Sequence, residues 1–306
     1  MAKTIKDTKQ GSWVNRRFPR MRPYFQLSRL DRPVGYWLLT LPGWMAIAFA
    51  GLRTGLEWED IRWAVLILIG AVAMRGAGCT YNDIVDQDLD AKVDRTQLRP
   101  LPAGTTTTLK AWIWLAIQCL VGLWVLLKLP LAAQIISLCS LPLVAGYPFM
   151  KRITWWPQAW LGLTFNWAAL VVYGIKTGGL SPGIIALYLG MALWTVFYDT
   201  IYACQDIEDD AIIGVKSTAR LFGDKLIQRL TVVKILIIAL FLLAFYLEDH
   251  IALGFIILPF AMHLNWQRQQ LKTELPDYLS IFKSNMGAAV LFIFPLTLAI
   301  AMDLFT

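Results

Sequence analysis

The sequence predicts an all-α membrane protein, a single bundle of about nine transmembrane helices around a central cavity. Of its 306 residues, 57% are hydrophobic and only 16% are charged, a composition that excludes an ordinary soluble domain. Apolar runs of membrane-spanning length are the second observation. They lie at about 34–52, 62–80, 110–128, 131–148, 156–174, 183–203, 230–247, 250–266 and 286–303.

The distribution of Lys and Arg predicts how these helices are oriented. Of the 28 basic residues, 22 lie in the N-terminal segment and in the loops after the second, fourth, sixth and eighth runs. Cytoplasmic loops carry such an excess, so the N-terminus and these loops are predicted to be cytoplasmic. The same bias, with contact to anionic lipid headgroups, accounts for the net charge of +7. We therefore expect a lipid bilayer and no nucleic acid as partner.

No Gly/Ser linker or low-complexity tract divides the chain. We predict one transmembrane domain over residues 1–306, with a basic cytoplasmic segment at 1–30, and no required protein partner is evident. The first 30 residues lack the apolar stretch and cleavage site of a secretory signal. Asp7 and the few serines also fit a mitochondrial presequence poorly. We expect a bacterial inner membrane, with the mitochondrial inner membrane as the alternative.

Two acidic clusters follow long apolar runs on the predicted cytoplasmic face, at 82–90 and 206–210. If the helices continue into these loops, Asp83, Asp86 and Asp90 fall at i, i+3 and i+7. Asp206 and Asp210 then fall at i and i+4, so each set shares one helix face. Neighbouring carboxylates at a membrane boundary repel one another and are costly. A cation is therefore expected among them.

Magnesium suits such a site, because it binds a few carboxylates and takes further ligands from water and phosphate. The amide oxygen of Asn82 could join the same set of ligands. The sequence therefore favours a Mg²⁺ site for a diphosphate substrate. The alternative is that the acids are solvated and paired with Lys92, Arg95 and Arg99.

The two acidic loops also resemble each other. Asp86-x-x-x-Asp90-Ala91 can be aligned with Asp206-x-x-x-Asp210-Ala211, and a basic residue with Thr or Ser follows in both. This weak internal repeat suggests two half-bundles that contribute to one cavity. Chance similarity between short polar loops is the alternative.

Several basic residues of the same face could neutralise a departing diphosphate. They are Arg95, Lys151, Arg152 and Lys216. Lys151 and Arg152 fit equally well as anchors of the cytoplasmic side. Arg75 stands inside the second apolar run, where an unpaired guanidinium would cost about 3 kcal/mol, and it therefore predicts an anionic partner. The phrase at 99–104 contains two prolines and ends in Gly104, which predicts a stiff structural turn.

Three stretches resemble the signatures of the UbiA-type intramembrane prenyltransferases, and the likeness runs from about Leu27 to Gly223. The stretches are Asn82-Asp83-x-x-Asp86-x-x-x-Asp90, Arg95-Thr96-x-x-Arg99-Pro100-Leu101-Pro102-Ala103-Gly104, and Tyr198-Asp199-Thr200-Ile201-Tyr202-Ala203-x-Gln205-Asp206-x-x-Asp209-Asp210. The stretches at 29–35, 147–152 and 213–218 resemble the 4-hydroxybenzoate branch of that family.

The resemblance implies Mg²⁺-dependent transfer of a polyprenyl group from polyprenyl diphosphate to 4-hydroxybenzoate, ortho to its hydroxyl, in ubiquinone biosynthesis. It implies that the Mg²⁺-diphosphate is bound by Asn82, Asp83, Asp86, Asp90, Asp206 and Asp210, the five aspartates being the candidate catalytic residues. Arg95, Lys151 and Arg152 would contact the diphosphate, and we add Lys216. For the acceptor carboxylate the candidates are Arg32 and Arg75.

Two other functions stay open at this point. The acceptor could be a naphthoate, homogentisate or a tetrapyrrole, since the residues themselves do not specify it. A secondary transporter could also carry carboxylates and an internal repeat, but its acids should lie near the bilayer midplane. Here they lie at helix ends in polar loops, which disfavours transport.

Overall fold

The computed structural model describes residues 17–91, 96–212 and 214–302, and the backbone in these ranges forms helices and turns. The α-helices are α1 (Arg22–Leu27), α2 (Val34–Thr54), α3 (Glu59–Val85), α4 (Gln87–Asp90), α5 (Thr108–Leu126), α6 (Leu131–Leu138), α7 (Leu141–Ile153), α8 (Pro157–Phe165), α9 (Trp167–Thr177), α10 (Pro182–Ala203), α11 (Ile207–Ile212), α12 (Thr218–Phe222), α13 (Leu226–Leu247), α14 (Leu258–Gln270) and α15 (Tyr278–Ala301). Short 3-10 turns lie at Pro19–Met21, Cys204–Asp206, Gly223–Lys225 and Ile251–Ile257.

The membrane class is confirmed by seven segments of the described chain that are long and apolar enough to cross a bilayer. They are Val34–Thr54, Glu59–Val85, Thr108–Leu126, Leu131–Ile153, Pro182–Asp206, Thr218–Leu247 and Tyr278–Ala301. The predicted number of nine is an approximation. The other two predicted runs, 156–174 and 250–266, are covered by α8 with α9 and by a 3-10 turn with α14.

The interruption between α8 and α9 has a local cause at Asn166. Its side-chain Nδ2 donates to the backbone oxygen of Gly162 at 2.7 Å and to Thr195 Oγ1 at 2.8 Å. A side chain that bonds the carbonyl four residues back competes with the helical ladder. The buried amide of Asn166 therefore ends α8 while it ties that helix to α10.

Contacts divide the chain into two compact units. The first comprises Met1–Trp37 with Leu66–Lys128, and the second comprises Leu38–Val65 with Leu129–Thr306. In the first unit, Leu27, Leu101 and Ala111 form a buried apolar cluster beside α5. The prediction of a single domain over 1–306 stays a prediction.

The second unit has an aromatic core between α10, α13, α14 and α15. Phe241 stacks on Phe260 with ring centroids 5.2 Å apart, and Phe292 meets Phe241 edge to face at 5.4 Å. The buried indole of Trp194 donates from Nε1 to Asn285 Oδ1 at 2.9 Å. Large aromatic rings with their polar atoms paired hold this unit together.

A buried carboxylate joins several helix ends at the opposite end of α10 from the second acidic cluster. Glu248 accepts hydrogen bonds from Arg53 Nε and Ser181 Oγ, and from Tyr173 Oη at 3.1 Å. Gly183 allows this approach, because a Cβ there would collide with Glu248 Oε1. The network holds α2, α9, α10 and α13 together.

A buried ion pair lies at the same end of α10. Removal of its lysine should cause a measurable loss of stability. Lys176 Nζ contacts Asp60 Oδ1 at 2.5 Å, and the two side chains are 4% and 10% exposed. Lys176→Met should lower the unfolding free energy by about 3 kcal/mol, because Asp60 would stay buried without its counter-charge. Thermal unfolding of the purified protein in detergent measures this. Lys128→Met at an exposed position is the matched control, and equal losses from both variants would contradict the prediction.

Candidate active site

The first acidic cluster lies on a helix that continues beyond its last regular turn, as the residue spacing predicts. Helix α3 ends at Val85, yet the Asp86 amide donates to Asn82 O at 2.9 Å, and the Asp90 amide donates to Asp86 O at 2.8 Å. The continuing ladder keeps the aspartates in helical register. Asp83 and Asp86 are 0% exposed and Asp90 is 5% exposed. The solvation expected in the alternative is therefore wrong for these three, whereas the pairing with Arg99 that it also expected is observed.

Two guanidinium groups neutralise this buried charge. Arg29 binds Asp83 in a bidentate manner, from Nη2 to Oδ1 at 2.7 Å and from Nη1 to Oδ2 at 3.0 Å. Arg99 Nη1 donates to Asp83 Oδ1 at 3.2 Å and to Asp90 Oδ2 at 2.7 Å. Buried carboxylates are tolerated only with such partners. The two arginines therefore offset the negative charge of Asp83 and Asp90 inside the first unit.

Arg29 was missed as a site residue by the sequence analysis, and the structure explains how it is positioned. Its backbone has a positive φ of 56°, which is uncommon for a non-glycine residue. The preceding Ser28 is held by Trp114, whose Nε1 donates to Ser28 Oγ at 2.7 Å, and Ser28 Oγ donates to Gln118 Oε1 at 3.1 Å. Gln118 Nε2 donates in turn to Thr80 Oγ1 at 3.2 Å. This network fixes the Arg29 segment beside α3 and α5.

Arg99 begins the stiff turn that the prolines predict. Gly104 has a φ of 67°, and the Thr105 amide donates to Pro100 O at 3.0 Å. Glycine is favoured at such a φ because it has no Cβ that would clash with the neighbouring backbone. The turn presents the Arg99 side chain to Asp83 and Asp90, so its residues have a role at the site besides the structural one. The sequence analysis names Arg99 only as a pairing partner of solvated acids and as part of a family-like stretch.

The second acidic cluster belongs to the second unit. Asp206 ends a 3-10 turn that follows α10, and Asp210 lies in α11, so the helical continuation predicted here is also observed. Both side chains are half-buried, whereas Glu208 is exposed. Beyond them the chain turns back at Gly214, whose φ is 74°, and the Val215 amide donates to Asp210 O at 2.9 Å.

Three of the predicted diphosphate-binding residues come together in the second unit. Lys151 and Arg152 lie in the last turn of α7, where cations are also favoured by the helix dipole. The Lys216 amide donates to Lys151 O at 3.0 Å, and Lys216 Nζ donates to Ile153 O at 3.1 Å. The loop after α11 is thereby joined to the end of α7. A phosphate group near this junction would meet several positive charges.

The other predicted site residues are Arg95, Arg32 and Arg75. Arg95 lies outside the described residues, as does Lys92. Arg32 Nε is 3.7 Å from Asp31 Oδ2, and burial raises the pKa of the Asp31 carboxyl above its usual range. Arg75 packs against Gly35, where an added Cβ would lie 2.9 Å from its Nε. The acceptor-binding role of Arg32 and Arg75 stays a prediction.

The donor chemistry of the first cluster fits a hard cation. Its buried carboxylates and the Asn82 amide present the oxygen ligands that Mg²⁺ prefers. In the described ranges, however, no group of three or more His, Cys, Asp or Glu side chains is arranged to hold a metal ion. Asp83 instead contacts Arg29 and Arg99. The six predicted ligands therefore remain a prediction, with a donor set of suitable chemistry.

Comparison with known sequences decides the family. Residues 36–287 match the UbiA prenyltransferase family. The chain belongs to this family. The aspartate stretches and the turn at 99–104 lie within the matched range, so the resemblance of these motifs is confirmed at the level of the family.

Relatives within the family are similar over about two thirds of the chain. The "4-hydroxybenzoate polyprenyltransferase, mitochondrial" of Arabidopsis thaliana is 47% identical over 218 residues, which are 71% of this chain and 53% of that protein. The "4-hydroxybenzoate geranyltransferase 2" of Lithospermum erythrorhizon is 43% identical over 224 residues, which are 72% of this chain and 71% of that protein. The UbiA-family chain thus spans about half the length of its mitochondrial relative.

A solved structure supports the fold independently. A UbiA homolog from Archaeoglobus fulgidus, bound to GPP and Mg²⁺, superposes with a TM-score of 0.67 at 19% identity. The match covers 92% of this chain and 99% of that one. At this identity the likeness concerns the fold alone, and it agrees with the UbiA assignment.

Proposed function

We propose that this chain transfers a polyprenyl group from polyprenyl diphosphate to the ring of 4-hydroxybenzoate, ortho to its hydroxyl, in ubiquinone biosynthesis. The reaction class is supported mainly by the complete burial of Asp83 and Asp86. Both side chains are 0% exposed at the end of a membrane-length helix. The acceptor is supported by relatives whose names specify 4-hydroxybenzoate. A divalent metal and a prenyl diphosphate are supported by the homolog bound to GPP and Mg²⁺.

In the proposed site, the acidic and the basic side chains have separate roles. Asn82, Asp83, Asp86, Asp90, Asp206 and Asp210 would hold Mg²⁺. When bound, the metal would neutralise diphosphate charge and so favour its departure. Arg95, Lys151, Arg152 and Lys216 would bind the diphosphate oxygens and stabilise the charge that develops there.

In the proposed reaction, one carbon–oxygen bond breaks and one carbon–carbon bond forms. The bond between the allylic carbon and the diphosphate oxygen breaks, and its electron pair leaves on diphosphate. The ring carbon beside the hydroxyl then bonds to the allylic carbon, and loss of the proton on that ring carbon restores aromaticity. Arg32 and Arg75 are the proposed partners of the acceptor carboxylate, because both lie in the first unit with the buried aspartates.

The location of the chain comprises its insertion in a membrane, its orientation there and the type of membrane. The seven apolar segments make this a membrane protein. We infer further that the N-terminus and both acidic clusters face the cytoplasm, or the equivalent side of an organelle, because most basic residues lie there. The bacterial inner membrane was expected from the sequence, but the names of the relatives favour the mitochondrial alternative.

The test of the proposed function is prenyl transfer in membranes that carry the chain. With a polyprenyl diphosphate and Mg²⁺, we expect prenylated 4-hydroxybenzoate and little product from naphthoate, homogentisate or tetrapyrrole acceptors. Asp206→Asn should remove most of this activity, whereas Glu208→Gln, an exposed position on the same short helical segment, should keep it. Prenylation of another acceptor would contradict the assigned substrate. Uptake of substrate into sealed vesicles without product would contradict the enzyme class.

A further inference from the structure

Two cationic side chains that belong to neither acidic cluster donate to the same amide oxygen. Lys234 of α13 donates from Nζ to Asn265 Oδ1 at 3.2 Å, and Arg268 of α14 donates from Nη2 to the same oxygen at 3.3 Å. Arg268 Nη1 also donates to Thr231 Oγ1 at 3.2 Å. Two positive side chains from different helices are thus gathered between α13 and α14, with an amide and a hydroxyl as their partners.

These two cations have no counter-charge among the described residues, where the recorded ion pairs involve other side chains. Arg268 also keeps a buried Nε without a hydrogen-bond partner. Lys234 lies within the apolar segment Thr218–Leu247. Like charges repel, and uncompensated charge in such a segment is costly. An anion from outside the chain would compensate both groups at once.

The surroundings of the pair indicate where that anion comes from. Val232 and Ile235, on either side of Lys234, are each 57% exposed, and Trp266 is 40% exposed. Exposed apolar side chains on a membrane-length helix face acyl chains. Lys234 is eight residues from the start of α13, or about 12 Å at 1.5 Å per residue, a depth from which a lysine side chain reaches the headgroup layer. We therefore expect the pair to lie near the boundary between lipid acyl chains and lipid phosphates.

We propose that Lys234 and Arg268 bind the phosphate of an anionic membrane lipid, with its acyl chains along the apolar face beside them. The ammonium and guanidinium groups would donate to the phosphate oxygens. Since the site involves both α13 and α14, the bound lipid would stabilise the folded second unit by mass action. The site shares no residue with the proposed diphosphate site and does not depend on the proposed reaction.

Lipid binding by purified protein in a neutral detergent tests the proposal. Phosphatidylglycerol should raise the midpoint of thermal unfolding, and native mass spectrometry should show a retained lipid, whereas phosphatidylcholine has a smaller effect. The double variant Lys234→Gln/Arg268→Gln should bind phosphatidylglycerol at least about tenfold more weakly. Without lipid it should be as stable as the unchanged protein, because two repelling charges are gone.

The matched control is Arg229→Gln/Lys272→Gln, which removes the same net charge from exposed positions and should keep the lipid affinity. Equal losses of phosphatidylglycerol affinity in the two double variants would overturn the proposal, because binding would then depend on the overall surface charge. If inorganic phosphate raises the unfolding midpoint as much as phosphatidylglycerol does, and the Lys234→Gln/Arg268→Gln variant loses this effect, the lipid assignment would be overturned. If the double variant does not purify as folded protein, Lys234→Gln alone is compared with Lys272→Gln by the same measurements.

Discussion

Asp86→Asn is expected to lower the rate of prenyl transfer by about a hundredfold or more. The side chain is 0% exposed, and the substitution keeps its shape while it removes the charge. A neutral amide is a weaker ligand for Mg²⁺ than a carboxylate, so the diphosphate would leave less readily. Product formed by membranes at saturating substrate and Mg²⁺ measures the effect.

The matched control for Asp86 lies two residues further along the chain. Asp88 belongs to the same acidic cluster, but its side chain is exposed. Asp88→Asn makes the same chemical change and should leave the rate within about twofold, since exposed charges are screened by water. Equal losses from the two variants would indicate a general effect of cluster charge and would contradict a specific role for Asp86.

Arg29→Ala is expected to lower the midpoint of thermal unfolding by several degrees. Asp83 is 0% exposed and would keep only Arg99 of its two cationic partners. Removing one member of a buried pair costs about 3 kcal/mol, because the other charge stays buried. Thermal unfolding of the purified variant in detergent measures this loss.

A double variant separates charge from packing at this position. Arg29→Ala/Asp83→Asn leaves no orphaned carboxylate, so it should be more stable than Arg29→Ala alone. Arg20→Ala, at an exposed position of the same N-terminal segment, should change the midpoint little. A double variant less stable than Arg29→Ala would mean that Arg29 acts by packing and that the electrostatic account is wrong.

The sequence was sufficient for the features that depend on local periodicity. Long apolar runs predicted the membrane class, because spanning helices need such lengths. The spacing of Asp83, Asp86 and Asp90 predicted helical continuation beyond the apolar run, and the backbone bonds of Asp86 and Asp90 confirm it. The Pro-rich phrase predicted the turn that ends at Gly104.

Features that depend on contacts between distant segments were not predictable from one sequence. Arg29 and Asp83 are 54 residues apart, and nothing in the local pattern joins them. The full burial of Asp83 and Asp86 depends on such contacts as well, because the residue pattern at 82–90 does not show which segments cover these side chains. Hydropathy also does not detect that the split of the 156–174 run lies at Asn166, whose side chain bonds Thr195 on another helix.

The central proposal is that aspartates of both acidic clusters are needed for the binding of Mg²⁺-diphosphate. The most direct test is the affinity of the purified chain for a polyprenyl diphosphate, by calorimetric titration with and without Mg²⁺. We expect Mg²⁺-dependent binding that weakens at least about tenfold in both Asp86→Asn and Asp206→Asn, while Asp88→Asn and Glu208→Gln bind like the unchanged chain. Binding that is unaffected by either Asp86→Asn or Asp206→Asn, or that does not depend on Mg²⁺, would contradict this proposal.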